Sequence, residues 1–197
     1  MKTLIRDAYW DILEVFYRNN NTPTHLREIS RTIQLNESPL TRHLKALESG
    51  HILDAVVDGN LKKFCINKAY LPEIFPMFDA ERMRRLPSIR RNAIAYYVNK
   101  MQKKPVFMIL FGSTAKGSFR QDSDMDVLEI FNEKTDTRDA CKYAEAQTGI
   151  HISAMQMQFK DFIKELKLKE DHVVQSALET GFPVYNQKYF YEAINNE

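Results

Sequence analysis

Leu110-Phe111-Gly112-Ser113-Thr114-Ala115-Lys116-Gly117-Ser118-Phe119-Arg120-Gln121-Asp122-Ser123-Asp124-Met125-Asp126-Val127 is the stretch on which the fold turns. It is entered from Val106 to Phe111, an unbroken apolar run of the kind found in strands buried on both faces. A second apolar run, Met125 to Phe131, leaves it. Gly112 lets backbone approach a ligand closely, and Ser113 adds a hydroxyl donor. A helix beginning at this turn would present free N–H groups and its dipole to a phosphate. Asp124 and Asp126 alternate along a strand, so both carboxylates point to one face. Together with triphosphate oxygens, such a pair is a suitable ligand set for Mg²⁺ or Mn²⁺. Lys116 and Arg120 are candidate phosphate neighbours. Each piece has a plainer reading: Gly-Ser as an ordinary turn, Asp-x-Asp as exposed strand charges, Asp122 as a loop charge, Ser123 as a turn former. The specific signal is their combination, with each element attached to its own apolar strand.

Ten residues separate Gly112-Ser113 from Asp124-x-Asp126. In that spacing the stretch resembles the motif of the DNA polymerase β nucleotidyltransferase superfamily, and more narrowly the minimal nucleotidyltransferases, some of which act as antitoxins. The resemblance implies a small mixed sheet covered by helices. It implies that Asp124 and Asp126 are the catalytic, metal-binding acids and that Gly112, Ser113, Lys116 and Arg120 bind the nucleotide. It further implies metal-dependent transfer of a nucleoside monophosphate from a nucleoside triphosphate, ATP being the expected one, to a hydroxyl of a protein side chain or a small molecule. Active members of the superfamily usually carry a third carboxylate on a later strand. The matching run here, His151-Ile152-Ser153-Ala154-Met155-Gln156-Met157-Gln158, contains no Asp or Glu. Glu129 is at odd spacing from Asp126 and should face away, and Asp161 falls beyond the strand. His151 is a candidate substitute, although a packed or solvent-facing histidine is the commoner outcome. The missing acid keeps a second expectation open, a regulator whose domain binds or senses nucleotide without catalysis.

Outward from the motif, the pattern predicts helices over 137–148, 161–168 and 171–180, a strand over 150–159, and a short helix near 189–194. This mixture defines an α+β class, with helices on one face of the sheet. Upstream, prolines at 72, 76 and 87 mark residues 71–104 as a connector that contains a short helix before Pro87 and a linking helix over 88–102, with Ser88 as the latter's cap and Ile89, Ala93, Tyr96 or Tyr97, and Met101 inward. Residues 105–197 then form one domain and 1–70 another.

The first seventy residues read as three short helices and a hairpin. Leu4, Ala8, Ile12 and Phe16 recur at helical spacing, widened by Ile5, Trp10 and Leu13; Leu26, Ile29 and Ile33 mark a second helix from about Thr24. Ser38 is a candidate cap for a third, with Pro39 at its first position, Leu40, Leu44 and Leu47 inward, and Gly50 as its stop. The runs 52–57 and 61–66 flank Asp58-Gly59-Asn60, a hairpin signal. Over roughly residues 5–68 this order resembles the winged helix-turn-helix regulators of archaea and bacteria. The resemblance implies a third helix in the DNA major groove, with Thr41, Arg42, His43 and Lys45 as its candidate contacts, and Lys62 and Lys63 of the wing against phosphates. It also implies double-stranded DNA as a partner and a homodimer reading two half-sites, to which the helix over 88–102 could contribute.

Composition excludes little beyond this. Residues 1–90 hold 14 Lys and Arg against 11 Asp and Glu, a difference of +3; residues 91–197 hold 14 against 15, a difference of −1. So small an asymmetry permits nucleic-acid binding without arguing for it. Cys65 and Cys141 are too few for a disulfide framework or zinc site, and the start Met1–Asp7 lacks the apolar stretch of a secretory signal. No apolar run approaches a bilayer span, so the expectation is a cytoplasmic protein without membrane contact.

Overall fold

The computed structural model describes residues 8–195, so the expected apolar positions Leu4 and Ile5 lie outside the described residues. Contacts divide the chain into two units, 1–78 and 79–197.

In the first unit, helix α1 (Ala8–Arg18) leads to a two-residue strand β1 (Thr24–His25), then α2 (Leu26–Ile33), α3 (Glu37–Ser49) and the hairpin strands β2 (Leu53–Asp58) and β3 (Leu61–Ile66). The three strands form an antiparallel sheet in the order β1-β3-β2. Ile12 and Phe16, Ile29, Leu40, Leu44 and Leu47, and Leu53, Phe64 and Ile66 are buried, so the helical periodicity meets the inner side of the hairpin. Helix α2 begins at Leu26 rather than Thr24, because Thr24 and His25 pair with Phe64 and Lys63 of β3. The His25 ring then caps the helix, its Nδ1 accepting from the Arg27 N–H at 3.2 Å. Ser38 is not the cap of α3: the helix starts two residues earlier than expected, at Glu37, with Asn36 at the cap position and the Leu40 N–H donating to the Asn36 carbonyl at 3.2 Å. Gly50 ends it as expected.

A 3-10 turn, Lys68–Tyr70, opens into α4 (Leu71–Arg85), one fifteen-residue helix where a looser connector is expected. Pro72 is in the first turn, where no N–H is needed, whereas Pro76 lies inside the helix, removes the bond back to the Pro72 carbonyl and crowds that oxygen. The division between the units falls within this helix.

The second unit continues with α5 (Ser88–Lys100), β4 (Phe107–Phe111), α6 (Gly112–Lys116), β5 (Met125–Phe131), α7 (Arg138–Thr148), β6 (Ile152–Gln158), α8 (Phe159–Leu168), α9 (His172–Thr180), β7 (Phe182–Tyr185) and α10 (Gln187–Asn195). Its four-stranded sheet runs β6-β5-β4-β7, with β5 and β6 parallel and the other pairs antiparallel. The class is α+β with a mixed sheet, but helices cover both faces and not one. Met108, Leu110, Met125 and Val127 join Ala93, Ile94 and Tyr97 of α5 and Ala140 and Ala144 of α7 in one core. On the opposite face Phe107 meets the rings of Phe159 and Phe162 of α8 and Phe190 of α10, with centroids 5.2 to 6.3 Å apart. The continuous apolar run of β4 reflects this two-sided burial. Gly181 admits the tight entry to β7: a Cβ there would lie 2.8 Å from both Ile109 Cγ2 and the Leu110 carbonyl.

Helix α5 belongs to this core and is no bare linker. Its inner face is Arg90, Ala93, Ile94, Tyr97 and then Met101, while Ile89 is 42% exposed and Tyr96 37%. The stripe is rotated from the expected one because an arginine, not the isoleucine before it, points inward. Ser88 is the first helical residue, and the Pro87 carbonyl accepts from the N–H groups of Arg90 and Arg91. Among the described residues no helix is long and apolar enough to cross a membrane, and both cysteines are free.

Glu129 on β5 is fully buried on the α5–α7 side. Its carboxylate accepts from the Tyr97 hydroxyl, from Thr137 Oγ1 at 3.2 Å and from Gln156 Nε2 at 2.8 Å. Burial raises its pKa above the ordinary 4.5, with the three hydrogen bonds opposing the rise, and burial also raises that of Tyr97. The folded state therefore holds the Glu129 proton more tightly than the unfolded chain, so this group's contribution to stability falls as pH rises from 4.5 through the raised value. Glu129→Gln is expected to gain stability relative to wild type as pH rises above the ordinary 4.5, read by urea unfolding. A difference independent of pH would refute this account of the residue.

Candidate functional site

Strand β4 ends at Phe111, and Gly112, at φ +68°, turns the chain at once into the five-residue α6. The antiparallel register places Phe111 opposite Asp126. A Cβ on residue 112 would lie 3.2 Å from Asp126 Cγ and would overlap Oδ2 outright. The Asp126 carboxylate thus rests on bare glycine backbone, and no other residue type leaves that space at that φ. Asp126 is half-buried, whereas Asp124, just before β5, is exposed. Burial foremost, and then the neighbouring Asp124 charge, raises the Asp126 carboxyl above its ordinary 3.8. The two acids and the glycine turn are therefore brought together.

Between them runs a closed loop. Gly117, at φ +74°, ends α6, and the Ser118 N–H returns to the Ser113 carbonyl at 3.0 Å. The Arg120 N–H donates to Ser123 Oγ at 2.9 Å and the Ser123 N–H to the Arg120 carbonyl at 3.1 Å, so Ser123 is a turn former. Ser113 is half-buried at the start of α6, and Lys116 and Arg120 are exposed at its end and in the loop. Neither cation forms an ion pair with Asp124 or Asp126.

Two residues not singled out from the sequence hold this loop. Arg90 is 2% exposed; it donates through Nη1 to Thr114 Oγ1 at 2.9 Å and through Nη2 to the carbonyls of Arg120 at 3.0 Å and Ser123 at 2.8 Å. Its guanidinium lies 4.3 Å from the centroid of the Phe119 ring. Thr114, itself buried, passes the link on, its hydroxyl donating to the Asp124 carbonyl at 3.4 Å. A signal existed: positions 90, 93, 94, 97 and 101 are one helical stripe, and extending it back from Ala93 reaches Arg90.

Among the described residues no further acid joins the pair. In the parallel register Asp126 stands beside Ser153 of β6. His151 is exposed, with its Nδ1 3.3 Å from Glu145 of α7. Asp161 lies in α8, 3.7 Å from Lys164, and Glu129 is on the other face. Among the described residues, no three His, Cys, Asp or Glu are grouped to hold a metal ion. Two adjacent carboxylates of like charge still suit Mg²⁺, which is commonly bound through one or two carboxylates plus substrate phosphates rather than in an all-protein cage.

In the first unit, Arg42 and Lys45 are exposed on α3, away from Leu40, Leu44 and Leu47. The other candidates are engaged. Thr41 Oγ1 donates to the Glu37 carbonyl at 2.7 Å, and the half-buried His43 packs edge-on against Tyr9 with centroids 5.0 Å apart. Lys62 pairs with Glu48 at 2.8 Å and Lys63 with Asp58 at 2.7 Å.

The strand, the glycine turn backed onto one carboxylate, and the second carboxylate beside it lie within a segment that is similar to nucleotidyltransferase domains. Residues 92–189 match the family model described as polymerase beta, nucleotidyltransferase. No curated protein and no solved structure matches the chain.

Gly112→Ala isolates the central contact. The left-handed φ costs about 1–2 kcal/mol for a residue with a Cβ, and the methyl group must push the Asp126 carboxylate toward water. Urea unfolding should show that cost, and carboxyl NMR should show Asp126 titrating lower than in wild type. An unchanged Asp126 titration would mean that the glycine does not set the carboxylate's place.

Proposed function

We propose that the protein transfers a nucleoside monophosphate from a nucleoside triphosphate, with ATP the expected donor, to a hydroxyl acceptor, and that its first unit is a winged helix-turn-helix that binds double-stranded DNA. The observation carrying the first half is the Asp126 carboxylate lying on Gly112 with Asp124 beside it. Asp124 and Asp126 would hold Mg²⁺ or Mn²⁺ together with phosphate oxygens; the bound cation supplies charge neutralisation at the triphosphate. The N–H groups at Gly112 and Ser113 and the Ser113 hydroxyl orient the phosphates, and Lys116 and Arg120 offer charge at the rim. The acceptor oxygen bonds to the α-phosphorus as the bond from that phosphorus to the β-phosphate's bridging oxygen breaks; pyrophosphate leaves, and the hydroxyl proton passes to solvent. The superfamily resemblance favours a protein side chain or a small molecule as acceptor.

Incubation with Mg²⁺ and α-labelled ATP should label an acceptor, and Asp124→Ala and Asp126→Ala should each abolish the label. Persistence of label in both variants would refute the assignment of these acids.

The DNA reading is supported by the helix and strand order of the first unit and by Arg42 and Lys45 projecting from α3. Arg42→Ala and Lys45→Ala, in the full chain, are each expected to weaken duplex binding and to lower its salt slope by about one. Lys62 and Lys63 would have to leave Glu48 and Asp58 to reach phosphate, so their substitution should have smaller effects. Binding unchanged in the Arg42 and Lys45 variants would exclude α3 as the reading helix.

A second reading is favoured by one observation, Ser153 in place of an acid beside Asp126. The domain would then bind nucleotide and shift DNA affinity without turnover. Nucleotide-dependent DNA binding in the absence of any labelled product separates this reading from the first.

A further inference from the structure

Three arginines at the corner between α4 and α5 donate to main-chain carbonyls, and they do so in different places. Arg91 bonds the carbonyls of Arg84 at 3.1 Å and Leu86 at 2.5 Å, closing the end of its own corner. Arg82 bonds those of Ala115, Thr180 and Gly181 at 3.0 to 3.1 Å and covers the Phe182 ring. Arg90 alone joins α6 to the loop before Asp124, through Thr114 Oγ1 and the carbonyls of Arg120 and Ser123. Arg90 also lies N-terminal to the residues that the family model covers.

We propose that Arg90 is a positioning residue of the nucleotide site: its guanidinium fixes the loop of residues 117–123 against α6 and so sets the place of Asp124 beside Asp126. The inference rests on the nucleotidyltransferase reading for its nucleotide arm.

The geometry requires a guanidinium. One nitrogen of Arg90 bonds two carbonyls three residues apart, which turns both inward, while another reaches the threonine that holds the Asp124 carbonyl. The planar fork spans these three acceptors at once; a lysine ammonium, a point charge on a flexible stem, cannot. The loop's own bonds, Ser118 N–H to the Ser113 carbonyl and the Arg120–Ser123 pair, close it on itself, while Lys116, Gly117, Ser118, Arg120, Gln121 and Asp122 are all exposed, so Arg90 is the side chain that ties it to α5. Phe119 is half-buried, lying on the same guanidinium. Arg90 is too deeply buried to meet a phosphate, so it acts through the backbone it holds. Burial lowers its pKa, and the Asp124 charge opposes that shift, which agrees with the guanidinium and that carboxylate sharing one electrostatic neighbourhood.

The test compares Arg90→Lys and Thr114→Val with Arg91→Lys, in the full chain. Amide hydrogen exchange over residues 117–124, thermal unfolding and Mg²⁺·ATP affinity by calorimetry are read together. Arg90→Lys is expected to speed exchange in this loop and to weaken Mg²⁺·ATP about 10- to 100-fold, as loss of outer-shell partners does. Thr114→Val should move both in the same direction by less, and it carries the test if Arg90→Lys does not fold. Arg91→Lys, which removes comparable carbonyl bonds at the helix corner, should lower thermal stability and leave the affinity unchanged. In Arg90→Ala, guanidinium at a low, non-denaturing concentration should restore the affinity in part. Wild-type exchange in the loop of the Arg90→Lys protein overturns the proposal, as does a loss of affinity that merely follows thermal stability and is matched by Arg91→Lys. A wild type that binds no Mg²⁺·ATP would sink the nucleotide reading, while loop exchange would still decide whether Arg90 holds the loop.

Discussion

The pairing of β4 with β5 is the constraint on which the site depends. Because Phe111 falls opposite Asp126, the first residue after β4 must turn the chain directly over a carboxylate. Only glycine satisfies both the positive φ and the missing volume. A one-residue slip would put Asp126 on the α5–α7 side, among Met125's and Val127's apolar neighbours, and would move Glu129 away from Tyr97, Thr137 and Gln156 to the other buried face. The register is held by apolar residues on both faces of β4, so the hydrophobic pattern of the sheet and the position of the acid are one requirement.

Strand β5 shows how burial and partners separate two chemically similar groups. Glu129, on one face, is wholly buried and satisfied by three donors from α5, β6 and the start of α7; it joins elements of the core. Asp126, on the other face and only half-buried, has a second carboxylate for a neighbour. The first arrangement specifies packing, and the second invites a cation. A separation of three residues, an odd number, is enough to divide the roles of Asp126 and Glu129.

That alternation is also why much of the site was legible in the sequence. The strand, the Gly112-Ser113 turn and the Asp124-x-Asp126 step are local features, with the distance between them set by a short loop. The helices and strands of the second unit follow their apolar periodicity for the same reason. What local pattern could not supply was tertiary. The cap of α2 is His25, held in place by pairing with β3 across some forty residues, and two-residue strands have no period to read. Arg90 was hidden because a charged residue next to Ile89 is ordinarily assigned to solvent, and its acceptors are carbonyls, which carry no side-chain signature. The ion pairs of Lys62 and Lys63 likewise depend on which face of the hairpin meets α3.

The Asp126 carboxylate is a cost to the folded chain, since burial and then the neighbouring Asp124 charge raise the free energy of its charged form. The site does little to relieve this. Arg90 spends its donors on Thr114 and two carbonyls, and neither Lys116 nor Arg120 bridges to the acids. A fold indifferent to ligand could have lowered the cost with one rotated lysine. Instead the cations point outward, and the buried arginine is used to hold the acids' loop still. This pattern suits a divalent cation as the missing positive charge, and the buried group that holds the geometry is one that no ligand would touch.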